Sequence, residues 1–323
     1  MLHDFWMYRG DRAFVRSMLP GVRAIQSFFA GFRKENGSLG YLPWWRNFDW
    51  VNEWPRGEPP TEPDGSSAPF DFQYLLALNW SVELEDHLGS KALAGEYRSV
   101  AAQLASTTRS LYWVESRSLF ADTPRHAQFS QHSNLLAVLS GVVQGAPARA
   151  LIEKTLSDPS LAQCSYFFRH YLHSAVNQVG LGDRYVDLLS DWYAMIDRGL
   201  TTFAERPENS ANPSRSDCHA WSASPNFEIF RTILGIDTAA PGFNRIRIRP
   251  FLGPLQHAAG AIPHPRGEIA VRLARKVDGV EVDVMLPPGT TGEFIWQTFR
   301  RPLPAGRTQF RIPEAGQDGK ENK

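Results

Sequence analysis

Residues 216–225 read Ser-Asp-Cys-His-Ala-Trp-Ser-Ala-Ser-Pro and follow a polar loop that carries Glu205. Catalysis at an anomeric carbon needs a carboxyl group that accepts a proton from water or donates one to the leaving group. Sugar recognition uses a flat aromatic face and a few polar groups. Glu205, then His219, then Trp221 at the head of a predicted helix therefore indicate a carbohydrate site. A capping Asp217, a buried Trp and an exposed Glu are the alternative that these residues leave open.

Further motifs lie before and after this stretch of the sequence. They are Leu2-His-Asp-Phe-Trp-Met-Tyr-Arg-Gly-Asp11, Phe48-Asp49-Trp50, Gly199-Leu-Thr-Thr-Phe-Ala-Glu205, Ser216-Asp-Cys-His-Ala-Trp-Ser-Ala223, Ile233-Leu-Gly-Ile236, and Pro241-Gly-Phe243 through Ile248-Arg-Pro250. In their order and in their residues, these motifs resemble those of the bacterial α-L-rhamnosidases, which are inverting six-hairpin glycosidases. The resemblance extends over about residues 1–300 and implies hydrolysis of terminal α-L-rhamnosides.

The resemblance also assigns roles to individual residues. Glu205 matches the general base of the family, with Glu208 as its competitor three residues on. His219 would be a direct sugar ligand, and Trp221 a sugar contact or a packing residue. Trp50 would form a wall against the apolar face and methyl group of a 6-deoxy sugar. Asp49 would orient a hydroxyl or an arginine, or would only cap a loop turn.

The family's general acid, a Glu, belongs to an acidic and Trp-containing segment upstream of Leu2–Asp11, and this sequence has no such segment. The resemblance therefore implies an N-terminally truncated hydrolase that is inactive by itself. A shortened gene, a misassigned start and a loss of activity all stay open. The alternatives for function are an inactive carbohydrate-binding remnant and another six-hairpin activity. A phosphorylase would need a phosphate pocket, for which Arg206 and Arg215 are available.

Hydrophobic periodicity predicts a mainly α chain that ends in β structure. The predicted helices cover 11–34, 69–88, 91–113, 127–142, 147–157, 162–179, 183–197 and 217–234. Short connections favour helix hairpins, and a closed (α/α)6 barrel needs about four more helices than these. Residues 35–67 form a long Gly-, Pro- and Trp-rich loop, here called the aromatic loop, which is typical of a functional segment.

Strict alternation from residue 243 predicts five or six antiparallel strands in a small sandwich. The predicted domains are a partial six-hairpin catalytic domain at 1–240, a β-sandwich at 241–312 and a disordered tail at 313–323.

Composition excludes several other classes of protein. The chain has 323 residues, with 34 basic and 34 acidic side chains, so no net field favours nucleic acid or an anionic membrane. Its two cysteines make no disulfide framework and no metal spacing, and the hydrolysis needs no cofactor. No signal-peptide pattern opens the sequence. A rhamnose-containing glycoside is the expected partner. The oligomeric state stays open. The compartment also stays open, although a true start at Met1 would imply the cytoplasm.

Overall fold

The computed structural model describes residues 1–207 and 215–313. Its helices are α1 (Leu2–Arg9), α2 (Arg12–Ala30), α3 (Ala68–Leu88), α4 (Lys91–Tyr112), α5 (Gln131–Leu139), α6 (Gly145–Ser157), α7 (Arg169–Gln178), α8 (Ser190–Asp197) and α9 (Pro225–Glu228). Its strands are β1 (Trp113–Val114), β2 (Leu119–Phe120), β3 (Ile236–Thr238), β4 (Arg245–Ile248), β5 (His257–His264), β6 (Gly267–Lys276), β7 (Gly279–Leu286), β8 (Thr291–Trp296), β9 (Phe299–Leu303) and β10 (Gly306–Pro313).

The chain forms two compact units. One consists of Met1–Asp11, Gly182–Ser190 and Pro225–Lys323, and the other of Arg12–Leu181 and Asp191–Ser224. The first unit holds the large β-sheets, and the second holds helices α2–α7 and most of α8. The predicted domain boundaries stay a prediction, and the predicted tail lies, beyond Pro313, outside the described residues.

The helical unit is built on the hairpin of α3 and α4. Leu75 and Leu78 of α3 pack with Leu104 of α4, because apolar residues at spacings of three and four share one helix face. The connection is tight because Ser90 caps α4 with a bond from the Leu93 N–H. The buried carboxylate of Glu85 accepts the Ser90 N–H at 2.7 Å.

The start of the aromatic loop is fixed to this hairpin by a buried carboxylate. Asp71 of α3 accepts hydrogen bonds from the Leu39 N–H at 2.7 Å, the Ser38 hydroxyl at 2.7 Å and the Tyr112 hydroxyl at 2.6 Å. Burial raises the pKa of Asp71 to about 6, although these three bonds act in the opposite direction. The loop that carries Asp49 and Trp50 therefore leaves from a rigid base.

The β unit contains two four-stranded sheets, in the orders β10-β7-β6-β5 and β3-β4-β8-β9. Alternation sets the register, since Val271 faces Val284 and Leu273 faces Val282 across β6 and β7. The inner faces of both sheets supply one hydrophobic core, which makes the pair a sandwich. The predicted sandwich is confirmed, but it has eight strands instead of five or six, and β4 pairs with β8 in parallel.

Gly235 explains one motif of the sequence. Its φ is 72°, and a Cβ at this position would lie 2.1 Å from the carbonyl carbon of Arg249. Only glycine accepts both conditions, so the Ile233-Leu-Gly-Ile236 motif marks the turn into β3.

The predicted helix at 217–234 is wrong as one continuous element. A 3₁₀ turn covers Ala220–Ser222, α9 follows, and a π turn covers Ile229–Ile233. The Ser222 hydroxyl donates to the carbonyl oxygen of Ala204 at 2.6 Å, and Pro225 has no N–H to continue a helix from the turn. No helix of the described residues is long and apolar enough to cross a bilayer.

Candidate active site

Two chain segments of the helical unit run side by side and bring Glu205 to His219. The Glu205 N–H donates to the carbonyl oxygen of Ser216 at 2.8 Å, and the His219 N–H donates to that of Phe203 at 2.8 Å. Backbone pairing of this kind fixes both segments. Glu205 and His219, which the sequence separates by 14 residues, therefore lie on neighbouring backbone segments.

The Glu205 carboxylate is held by two donors. The Ser216 N–H donates to Oε2 at 3.0 Å, and Nη2 of Arg206 lies 3.1 Å from Oε1. Partial burial favours the protonated form, but the Ser216 N–H, the Arg206 charge and His219 together lower the pKa of Glu205 below its ordinary value. Its side chain keeps 16% exposure. The group is thus an ionised, reachable carboxylate, which is the state that a general base needs.

Trp221 closes one side of this carboxylate segment. Its indole Nε1 donates to the carbonyl oxygen of Glu205 at 3.1 Å. Its ring lies 4.2 Å from the His219 ring and 5.8 Å from the Phe167 ring, measured between centroids. Trp221 therefore contacts the His219 ring at a tilted angle and fixes the backbone of Glu205, the predicted base.

Asp49 lies inside the protein and not on an open surface. Its side chain has 0% exposure, and His132 Nε2 lies 2.7 Å from its Oδ2. The Ser165 N–H donates to the same oxygen at 2.9 Å, while the Trp50 N–H, at 2.9 Å, and the Ser165 hydroxyl donate to Oδ1. This carboxylate fixes the middle of the aromatic loop, which is closer to the predicted capping role than to a sugar contact.

Trp50, the next residue, faces outward. It is 38% exposed, and its ring centroid lies 5.9 Å from that of Trp45, which is 55% exposed. Trp54 of the same loop is instead buried, 4.3 Å from the His132 ring. The aromatic loop therefore exposes the indoles of Trp45 and Trp50, here called the indole pair, and buries that of Trp54.

The segment 165–168 joins the two clusters. Ser165 binds Asp49, the Phe167 ring contacts Trp221, and the Phe168 ring stacks on Phe48 at 5.3 Å. The structure thus links all five predicted site residues through one short segment between α6 and α7. Glu208, the competing base, lies outside the described residues.

Sequence reasoning missed His132 and Ser165. His132 belongs to the run Ser130-Gln-His-Ser-Asn134, whose side chains are all buried although all are polar. Buried polar groups need partners, so a polar run at the head of an otherwise apolar helix was the available signal. Nothing adjacent in the sequence marks Ser165.

The chain thus combines a helical unit, which holds a carboxylate loop flanked by aromatic side chains, with a β-sandwich unit. Residues 235–301 match the model of the bacterial alpha-L-rhamnosidase C-terminal domain. A curated alpha-L-rhamnosidase of Alteromonas sp. (strain LOR) is 24% identical over 318 residues, which is 90% of this chain and 33% of the relative.

Solved structures agree on the fold. The GH78 family rhamnosidase of Bacillus sp. GL1 superposes with a TM-score of 0.78 at 24% identity, over 92% of this chain and 33% of that protein. The alpha-L-rhamnosidase of Streptomyces avermitilis, complexed with L-rhamnose, superposes with a TM-score of 0.75 at 18% sequence identity. The superposition covers 95% of this chain and 32% of that protein. These findings confirm the predicted resemblance to the bacterial α-L-rhamnosidases. The chain spans about a third of the length of the relatives that it matches.

Proposed function

We propose that this chain contributes the general base of an active site that hydrolyses α-L-rhamnosides with inversion of the anomeric configuration. The observation that carries the proposal is the Glu205 carboxylate, which is held ionised by the Ser216 N–H and Arg206 and lies next to His219. In an inverting hydrolysis such a carboxylate takes a proton from the attacking water while a second carboxyl group protonates the leaving oxygen.

The sugar would contact the side chains around this base. The His219 imidazole can donate one hydrogen bond and accept one, which suits neighbouring hydroxyls of a sugar ring. Trp221 and the exposed face of Trp50 would cover apolar parts of the sugar, including the methyl group of a 6-deoxy sugar. Asp49 would not contact the sugar, because its carboxylate is bonded to His132, Ser165 and the Trp50 N–H. It would instead hold Trp50 in position.

The substrate class comes from the relatives. Both the Alteromonas and the Streptomyces protein are named alpha-L-rhamnosidases, and the latter was solved with L-rhamnose bound. A terminal α-L-rhamnoside is therefore the proposed substrate here. The general acid is not assigned to any described residue, and Asp49 is unsuited to that role because its oxygens are already bonded.

Sugar binding without turnover is the second candidate. Its basis is that, among the residues the structure describes, one of the two carboxyl groups that inversion requires has been assigned. A phosphorylase is less well supported. Arg206 is engaged with Glu205, while Arg215 is engaged with Asp217 at 2.8 Å and with the Arg206 carbonyl oxygen. Neither guanidinium is presented alone to a phosphate.

The proposal is tested on the natural gene product that carries this sequence. Incubation with an aryl α-L-rhamnoside, followed by proton NMR, should show β-L-rhamnose as the first product, since inversion exchanges the anomeric configuration. Release that depends on added phosphate and yields a rhamnosyl phosphate would indicate a phosphorylase. Saturable L-rhamnose binding without any release would indicate the binding-only candidate.

A further inference from the structure

Ser222 is a buried serine whose hydroxyl lies between the two segments of the candidate active site. The residue is 0% exposed, and its hydroxyl donates to the carbonyl oxygen of Ala204 at 2.6 Å. The carbonyl oxygen of His219 lies 3.0 Å from the same hydroxyl, and it also accepts the Ser222 N–H at 3.4 Å. A hydroxyl has one proton to donate. The shorter contact, to Ala204, is therefore its main bond.

The peptide unit between Ala204 and Glu205 is held at both of its polar atoms. Its carbonyl oxygen accepts from the Ser222 hydroxyl, and its N–H donates to the carbonyl oxygen of Ser216 at 2.8 Å. The next carbonyl oxygen, that of Glu205 itself, accepts from the indole of Trp221 at 3.1 Å. Ala204 is fully buried, so removal of the Ser222 hydroxyl would leave a buried acceptor without this bond.

Ser222 is itself fixed by helix α8. Nε1 of Trp192 donates to the Ser222 carbonyl oxygen at 2.8 Å, and Trp192 is only 6% exposed. The Trp192 ring also contacts the ring of Tyr166, with 5.2 Å between the centroids. A buried side chain of the helical unit thus holds the main chain of Ser222, whose hydroxyl in turn holds the main chain next to the proposed base.

We propose that Ser222 is the positioning residue of the general base, a role that rests on the proposed function of Glu205. Ser222 is too deeply buried to touch a sugar, so it acts through the peptide between Ala204 and Glu205. A general base must lie within hydrogen-bond reach of its water, and a displacement of about 1 Å can cost about 10² in rate. Without the hydroxyl, this peptide can rotate and draw the carboxylate away from the Ser216 N–H.

Steady-state kinetics of Ser222→Ala on an aryl α-L-rhamnoside, in the natural gene product, tests the proposal. We expect kcat to fall roughly 10- to 100-fold with KM within about threefold, because His219 remains to bind the sugar. The acidic limb of kcat/KM should move to higher pH, since a bond that lowers the pKa of Glu205 is weakened. Thr155→Val also removes a buried hydroxyl that donates to a main-chain carbonyl oxygen, within α6, and should change none of these quantities.

A double-substitution cycle separates positioning from a general loss of structure. In the Glu205→Gln protein, Ser222→Ala should lower kcat by less than about threefold, because the group that it positions is already disabled. Trp192→Phe keeps an aromatic ring but removes the donor to Ser222, so it should lower kcat and move the acidic limb in the same directions, by less.

The outcomes distinguish this proposal from the proposed function. If Ser222→Ala behaves like Thr155→Val, or if its loss of kcat persists in full in the Glu205→Gln protein, the positioning role is overturned while the hydrolysis stands. If Ser222→Ala does not fold, a Trp192→Phe protein with unchanged kcat and acidic limb overturns it as well. Absence of hydrolysis by the unmodified protein would overturn both.

Discussion

The main-chain N–H of Ser216 donates to Oε2 of Glu205 at 3.0 Å, and the Glu205 N–H donates back to the Ser216 carbonyl oxygen at 2.8 Å. This reciprocal pair fixes both the backbone and the carboxylate of Glu205 at the same neighbour. The carboxylate can therefore stay in one orientation while water approaches its exposed side. Substitutions around Glu205 in the natural gene product that carries the chain should therefore have separable effects.

His219→Ala should raise KM for an aryl α-L-rhamnoside and lower kcat/KM by roughly 10- to 100-fold. The substitution removes a proposed hydrogen bond to the sugar but leaves the base in place. Steady-state kinetics measures both parameters. His257→Ala, at an exposed position of β5, should change neither. An unchanged KM together with a large loss of kcat would mean that His219 acts on the chemistry instead of on binding.

Arg206→Met should shift the acidic limb of the kcat/KM profile to higher pH. The Arg206 charge helps to lower the pKa of Glu205, so the native carboxylate stays ionised to a lower pH than an ordinary Glu. Without that charge the pKa rises, and the base becomes protonated earlier as the pH falls. Arg125→Met, whose native side chain pairs with Glu62, serves as the control. An unmoved limb would show that another group controls it.

Asp49→Asn should lower the free energy of unfolding by about 1–3 kcal/mol. An amide offers one acceptor oxygen where the carboxylate serves His132, Ser165 and the Trp50 N–H, so buried donors lose their partner. Urea denaturation measures the change. Asp64→Asn, at an exposed ion pair with Lys34, should stay within about 1 kcal/mol. Equal effects of the two substitutions would contradict the anchoring role of Asp49.

Asp71 should make stability depend on pH. Its folded pKa is about 6, above the value of about 3.9 for an unfolded Asp, so the folded state binds the proton more readily. The free energy of unfolding should therefore increase as the pH falls from about 7 to about 4, relative to Asp71→Asn, whose side chain does not titrate. Urea melts of both proteins across this range test it. A constant difference between them would show that Asp71 is not perturbed.

The predictable part of the fold is the part that local periodicity decides. The helix hairpin of α3 and α4 has its apolar residues at spacings of three and four, and β4 alternates so that Ile246 and Ile248 are both buried. The break at Ala220–Ser222 depends instead on a bond from Ser222 to Ala204, which no local pattern carries. The parallel pairing of β4 with β8 likewise joins segments more than 40 residues apart.

The same distinction holds for the site. Glu205, His219 and Trp221 stand close together in the sequence, and two paired backbone segments hold all three in one place. The position of Asp49 was not visible in the sequence. Its partners His132 and Ser165 lie 83 and 116 residues further along the chain, and only the folded helical unit brings them to the aromatic loop.

The central claim is that Glu205 deprotonates the attacking water. Glu205→Gln keeps the size of the side chain but cannot accept this proton, so kcat for an aryl α-L-rhamnoside should fall by about 10²–10⁴ with little change in KM. Azide needs no deprotonation and should restore part of the rate, with β-L-rhamnosyl azide seen by NMR. Glu62→Gln, an arginine-paired carboxylate of 14% exposure, should retain full activity. A kcat of Glu205→Gln within a few-fold of the unmodified protein, with no azide product, would contradict the claim.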